Sequence, residues 1–400
     1  MPTEHKLGEL VFAHDYAFLH GADGAVYSDR GDWTWHRYLD FADRLTVVSR
    51  ARELPEGVPA DALTLVSRPA VSYRPVPSLS GPVARYSNRR EATRRLRRAL
   101  SSADALIARL PSEIGSLSIQ VAERMGLPWG VEVVTCTWDA LWNYGTWQGK
   151  VYAPISWWST RRLVGRADYA VYETQRFLQG RYPARGAMVG CPIVELPEVH
   201  RSVLDQRLAR IASWQPPFRI GLIGALSVGF KGIDTAIEAL RLRRPDLPEL
   251  ELRILGAGDP GRWRRLADEA GLRRLVHFDG MLPAGDAVNA WLDELDLYVQ
   301  PSFQEGLPRG TLEAMSRGCP ALASTAGGLP ELLEPDSLHR PGDAERLGAL
   351  IVRAASDRGW QLAQAERNFD VARRYSKPEL DRARNAFWGR FVTIVKERKA

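Results

Sequence analysis

Short apolar runs alternate along the chain with longer stretches in which charged and apolar positions recur at helical spacing. In the first half the apolar runs are "LVFAHD" (10–15), "LTVVSRA" (45–51), "DALIARL" (104–110), "WGVEVVTC" (129–136) and "ADYAVYET" (167–174). In the second half they are "FRIGLIGAL" (218–226), "ELELRILGAG" (249–258), "LVHFDGML" (275–282), "DLYVQPS" (296–302) and "PALAST" (320–325). Stretches such as "GIDTAIEALRLRR" and "GRWRRLADEAGLRRL" fill the gaps as helices with one charged and one apolar face. Strand and helix in alternation predict an α/β architecture with parallel sheets.

Each half reads as a doubly wound, Rossmann-like unit. The pattern breaks near "CPIVELPEVHRS" (191–202), where two prolines interrupt it. The expected organisation is a first domain over 1–195, a second over 196–375, and a capped amphipathic helix in 376–400 that crosses back to the first. Two such units face each other across a cleft at the carboxyl ends of their strands, where open parallel sheets bind ligands.

Length and composition agree with two globular domains: 400 residues, 45% hydrophobic and 26% charged. No apolar run approaches the ~18 residues that span a bilayer, and "MPTEHKLGELVFAHDY" lacks the layout of a signal peptide. Cys136, Cys191 and Cys319 are scattered and odd in number, which suggests neither a disulfide frame nor a zinc site. The seven histidines show no metal-ligand spacing, and no Asp-x-Asp stands at a strand end. A cytoplasmic protein without metal or resident cofactor is expected.

The net charge of +6 is unevenly spread, with six arginines in "NRREATRRLRRALSS" (88–102). Arg90, Arg94, Arg97 and Arg98 share a helix face. One reading is a solvated face; the other is attachment to an anionic surface, a membrane leaflet or a polyanionic acceptor. No nucleic-acid-binding motif accompanies the charge.

In the second half, "GLIGALSVGFKGID" sets a glycine turn at Gly224 after a strand, then Lys231, then a helix start. Backbone N–H groups and helix dipole at such a turn suit phosphate oxygens, and Lys231 adds a point charge. The segment matches neither the dinucleotide glycine fingerprint nor the P-loop. After "DLYVQPS" come Glu305, Gly306, Leu307, Pro308 and a helix whose first turns carry Arg309, Thr311, Leu312 and Glu313. Two carboxylates beside a phosphate site suit a ligand with hydroxyls on either side of a diphosphate: a nucleotide sugar, with Glu313 on the ribose and Glu305 on the sugar.

"EGLPRGTLEAMSRGCPALASTAGGLPELL" closely resembles the donor-site signature of the retaining, family-four type glycosyltransferases of the GT-B fold. "GFKGIDTAIEAL" is similar to their phosphate-binding lysine segment, and "LRILGAGD" and "VHFDGML" to their nucleotide-base segments, over roughly residues 216–375. The resemblance implies that Lys231 binds and stabilises the leaving diphosphate, a clamp in place of a metal. It implies close backbone approach at Gly256 and Gly258, a base flanked by Met281 or Leu282, phosphate held near Thr311 and Leu312, ribose on Glu313, and the donor sugar on Glu305. One departure is Ala225, where family members usually carry an arginine; Arg309 is the candidate substitute.

The first half resembles the family in architecture more than in residues. Where many members carry a histidine after the strand equivalent to "DALIARL", this chain has Arg109 and Leu110. Arg109 can bond the donor but cannot act as a base; Ser112 and Glu113 are the nearest polar groups. In the retaining mechanism that the resemblance implies, the leaving phosphate oxygen takes the acceptor proton and no protein nucleophile is needed. Candidate acceptor contacts are Trp138 and Asp139 in "TCTWDALWNYGTWQGK", where Tyr144 and Trp147 are further candidate stacking platforms and Trp142 is read as a core residue. His14 and the glycine loop with Gly21, Gly24 and Gly31 complete the set, although a satisfied, half-buried structural histidine is the plainer reading of His14.

The expected function is transfer of a sugar from a UDP- or GDP-linked donor to a saccharide or lipid-linked saccharide in cell-surface polysaccharide assembly, at the inner face of the membrane. Transfer to a soluble small molecule and a non-catalytic nucleotide-sugar-binding subunit are the alternatives.

Overall fold

The computed structural model describes residues 6–21, 24–28, 35–55, 63–143 and 145–399. In the first half lie β1 (Leu7–His20), β2 (Val26–Ser28), β3 (Ala42–Glu53), β4 (Thr64–Leu65), β5 (Val71–Pro75), β6 (Ala105–Leu110), β7 (Trp129–Val133), β8 (Tyr169–Tyr172) and β9 (Ala187–Gly190). The second half holds β10 (Phe218–Ile223), β11 (Leu250–Leu255), β12 (Val276–Gly280), β13 (Leu297–Gln300), β14 (Ala321–Ser324) and β15 (Leu338–His339). All ten expected strands are present. β2, β4, β5, β9 and β15 come in addition; β2, β4 and β15 have two or three residues, too few to show a period.

In the first domain the parallel strands run in the order β5-β3-β1-β6-β7-β8-β9, and β2 and β4 add an antiparallel ribbon at the far end of β1. In the second the order is β12-β11-β10-β13-β14-β15, parallel throughout. Each sheet reverses its winding next to its first strand. The crevice therefore opens between the loops after β1 and β6 in one domain, and between those after β10 and β13 in the other.

Separate cores hold the two units. Val11, Leu106, Ile114 and Val131 lie in the first, and Ile220, Leu252, Ile237 and Leu350 in the second. Helix Lys377–Glu397 returns to the first domain. There Phe387, Trp388 and Phe391 pack with Phe12, Ile107 and Val171, and the Trp388 ring sits where a side chain at Gly130 would stand. The outgoing and returning connections lie side by side: Leu196 N–H donates to Tyr375 carbonyl (3.0 Å) and Lys377 N–H to Leu196 carbonyl (2.9 Å).

β1 departs from expectation. It runs 14 residues, past Asp15, because its pairing with β3 shifts between Ala13 and Ala17. His14 and Asp15 thus occupy a bulge inside a strand rather than a strand end. Such a bulge re-aims side chains locally.

Candidate functional site

The crevice of the second domain is built from three glycine loops and one carboxylate cluster. After β10, Gly224 leads through a 3₁₀ turn (Gly229–Lys231) to Gly232, whose φ of 73° permits close contact with the Pro301 carbonyl. A Cβ at Gly232 would lie 2.1 Å from that oxygen, so only glycine lets the two loops cross there. Phe303 N–H donates to the Phe230 carbonyl (2.8 Å), tying the loop after β13 to the loop after β10.

Between these loops Lys231 Nζ meets Glu305 Oε1 at 2.7 Å. The same carboxylate oxygen accepts from Ser302 Oγ (2.7 Å) and Gln300 Nε2 (3.2 Å), while Tyr298 OH donates to Gln300 Oε1 (2.5 Å). The Glu305 side chain is 8% exposed and that of Lys231 22%, so the pair is sheltered but open on the lysine side. Gln300, Ser302 and Tyr298 are site-supporting residues that sequence reasoning missed. Their signal was a glutamine inside a fully buried strand, which must find partners within the protein.

Backbone contacts position Glu305. Gly327 N-terminal to the next helix, with φ 57°, lies so close that a Cβ there would stand 2.1 Å from the Glu305 carbonyl, and Gly328 N–H donates to the Gly306 carbonyl (2.8 Å). Helix Arg309–Ser316 starts beside β10 and β13, where a Cβ at Gly310 would press on the Tyr298 hydroxyl at 2.7 Å. Thr311 and Leu312 are buried in its first turn. Glu313 Oε1 accepts from Arg309 Nε (2.8 Å); the arginine is 60% exposed, the glutamate 15%. Gly224, Gly256 and Gly258 form the opposite wall: Gly224 N–H bonds the Leu255 carbonyl, and a Cβ on Gly256 would collide with the Gly224 carbonyl. Past β12, Met281 is exposed and Leu282 half-buried.

The first domain contributes a different kind of wall. Arg109 is buried and donates through Nε and Nη2 to Glu132 (3.0 and 2.9 Å) and to the Tyr38 hydroxyl (3.0 Å), with its guanidinium 5.0 Å from the Phe12 ring centre. Ser112 is the N-cap of helix Glu113–Met125, its Oγ accepting from Gly115 N–H (2.8 Å). Glu113 is ion-paired with Arg85, and burial raises its carboxyl pKa above the ordinary value. Asp15, which sequence reasoning passed over, accepts from Glu113 N–H (2.6 Å) and Ile114 N–H (3.1 Å). His14 Nδ1 accepts from Tyr16 N–H (3.2 Å). Trp138 stacks on Trp142 at 5.6 Å, and Asp139 lies 3.8 Å from Arg181. Trp147 points outward, 71% exposed. Gly31 and Tyr144 lie outside the described residues.

The two walls meet at the loop of Glu305. A Cβ on Gly306 would approach the Val134 carbonyl at 3.1 Å and Glu173 Cγ at 3.9 Å. Glu173, at the end of β8, is buried, and desolvation pushes its carboxyl up to about 7 against the pull of Ile193 N–H and Arg109. Asn143 Nδ2 donates to the Phe303 carbonyl (3.3 Å). Glu331 of the second domain accepts from the backbone N–H groups of Gln175, Arg176 and Phe177 (2.5, 2.9 and 2.6 Å).

Two parallel, doubly wound domains with loops converging on one cleft, closed by a helix that returns to the first, define a GT-B architecture. Structures of this class superpose along nearly the whole chain. Sucrose-phosphate synthase from Thermosynechococcus elongatus gives a TM-score of 0.65 at 15% identity, covering 97% of this chain and 100% of its own. HepE from Anabaena, in complex with UDP, gives 0.64 at 16%, covering 94% and 98%. Residues 217–357 match the family Glycosyl transferases group 1. A curated relative, protein CapJ of Staphylococcus aureus, is 28% identical over 347 residues, 86% of either chain.

Proposed function

We propose that this glycosyltransferase moves a sugar, with retention and without a metal, from a nucleotide diphosphate sugar to a saccharide hydroxyl during assembly of a cell-surface polysaccharide. The observation that carries the reading is the Lys231–Glu305 pair at the switch point of the second sheet. A diphosphate entering the crevice offers Lys231 a second anion beside Glu305, and backbone amides around Thr311 and Leu312 supply further donors. Glu313 binds the ribose hydroxyls, Met281 and Leu282 flank the base, and Glu305 faces the transferred sugar. The glycines of the opposite wall let the nucleoside approach the backbone.

As the anomeric bond to the phosphate oxygen breaks, Lys231 stabilises charge on that oxygen. The acceptor hydroxyl adds to the same face and passes its proton to the departing phosphate. Arg109 acts from behind: engaged with Glu132 and Tyr38, it contributes positive potential and shape rather than direct contact. Trp138 and Asp139 offer a stacking face and an acceptor for sugar hydroxyls. UDP is the first nucleotide to test, since the similar HepE structure holds it. The polysaccharide assignment is supported by the likeness to an amylovoran biosynthesis glycosyltransferase, AmsK of Erwinia amylovora, 29% identical over 177 residues, 41% of this chain and 43% of its own.

Titration calorimetry of UDP, GDP and ADP tests the donor site. One nucleotide is expected to bind, with affinity falling about 10- to 100-fold in Glu313→Ala through loss of charge-assisted hydrogen bonds. Equal binding by the variant would remove Glu313 from the site.

A further inference from the structure

Helix Trp147–Val164 buries Gly149, Ala153, Thr160, Leu163 and Val164 on one side and carries Trp147, Val151, Ile155 and Trp158 on the other. These four fall at i, i+4, i+8 and i+11, a single ridge about 16 Å long. They are 56% to 71% exposed, where a soluble helix would place polar residues. A second helix, Pro82–Ser87, also presents exposed apolar side chains, Val83 and Tyr86, 82% and 90% exposed. Arg85 Nη1 donates to the Tyr152 hydroxyl (2.7 Å), fixing the two helices to each other. An exposed apolar ridge of this length calls for an occupant.

The charge around it says which. The two helices carry Arg85, Lys150, Arg161 and Arg162 and no acidic residue. Arg162 lies over the Trp158 ring (5.5 Å) and Lys150 over that of Trp142 (5.7 Å), so cation and indole stand side by side. A second copy docked through the same face would bring these like charges together across a two-fold axis. An anionic bilayer takes both features at once: aromatic and aliphatic side chains enter the head-group boundary while cations meet lipid phosphates. Among the described residues no helix is long and apolar enough to cross a membrane, so contact through this ridge is in-plane.

We infer that the ridge of Trp147, Val151, Ile155 and Trp158, with Val83 and Tyr86, is a docking face for an anionic lipid surface. It is distinct from the face of Arg90, Arg94, Arg97 and Arg98, which is exposed on its own helix. There Arg94, Arg95 and Arg98 line a hollow of about 390 Å³ with Glu9 and Glu91, and Arg94 and Arg95 are both paired with Glu91. The ridge begins next to the cleft, since Asn143, a few residues before it, already touches the second domain. A bilayer held there presents a lipid-borne saccharide to the cleft; that consequence, unlike the docking itself, rests on the proposed transfer.

Flotation of the full chain with phosphatidylcholine–phosphatidylglycerol vesicles, against phosphatidylcholine alone, tests the docking. The wild type is expected to float with the anionic vesicles and to release as salt is raised. Ile155→Ser with Trp158→Ser should weaken partitioning at least about tenfold with an unchanged thermal midpoint. Lys150→Gln with Arg162→Gln should weaken it at low salt only. Absence of flotation, or a serine variant that floats like the wild type, would overturn the proposal. So would a wild-type dimer, unbound to vesicles, that the serine variant dissociates. UDP calorimetry on the same samples reads the donor site separately: flotation without nucleotide binding keeps the docking face and removes the transfer reading.

Discussion

The loops after β10 and β13 and those after β1 and β6 hold the same position in two sheets of like topology, yet they use their polar groups differently. In the second domain the polar side chains converge on one carboxylate and leave Lys231 open to the crevice. In the first, polar groups of the equivalent loops are engaged with their own domain: Arg109 with Glu132, Ser112 and Asp15 with a helix N-terminus, Glu113 with Arg85. Position at a switch point makes a residue available to a ligand, but its nearest partner decides whether it is free to meet one.

This contrast can be broken by substitution. The largest effect is expected from Arg109→Met, which leaves Glu132 buried without its cation and should cost about 3–5 kcal/mol in denaturant unfolding. UDP affinity of the folded fraction should stay unchanged; a stable variant with lost UDP affinity would move Arg109 into the donor site. Lys231→Ala should instead slow transfer about 10²- to 10³-fold, with a smaller unfolding cost than Arg109→Met because Ser302 and Gln300 still donate to Glu305. A loss confined to stability would make the Lys231–Glu305 pair merely structural.

Glu173 sharpens the comparison because it sits where the walls meet. Its folded pKa is raised, so the stability it contributes is fully present below the unfolded value and is lost as pH rises through about 7. Between about pH 5 and about pH 8 the wild type should lose on the order of 2 kcal/mol more than Glu173→Gln. Parallel pH–stability curves would show that Glu173 does not hold a proton in this range. The smallest effect belongs to Ser112→Ala, about 1 kcal/mol for a lost helix cap, read as a lower thermal midpoint with transfer intact. A selective loss of transfer would return Ser112 to the acceptor site.

Legibility followed the same division. The second domain could be read because its glycines and acids are fixed by backbone geometry: Gly232 and Gly327 permit loop crossings that no Cβ would allow, and Gly310 lets a helix start against Tyr298, so spacing along the chain encodes them. Glu305 and Lys231 stand 74 residues apart along the chain, and the fold brings them to 2.7 Å. In the first domain no local signal distinguished Arg109 as a buried partner of Glu132, because the pair is made across neighbouring strands β6 and β7. The bulge in β1 was hidden too, since its register depends on β3.

The sequence by itself determined the alternation of ten principal strands with amphipathic helices, and hence two doubly wound sheets. Apolar periodicity and backbone sterics are local, and each run carries its own instruction. Only the tertiary structure decided which charges face the crevice. Lys231 faces a crevice and Arg109 an internal glutamate, and the apolar ridge of helix Trp147–Val164 stands in solvent while Trp388 is buried against Phe12 and Ile107 of the first sheet. Those outcomes depend on what packs opposite each side chain, which is a property of the assembled fold.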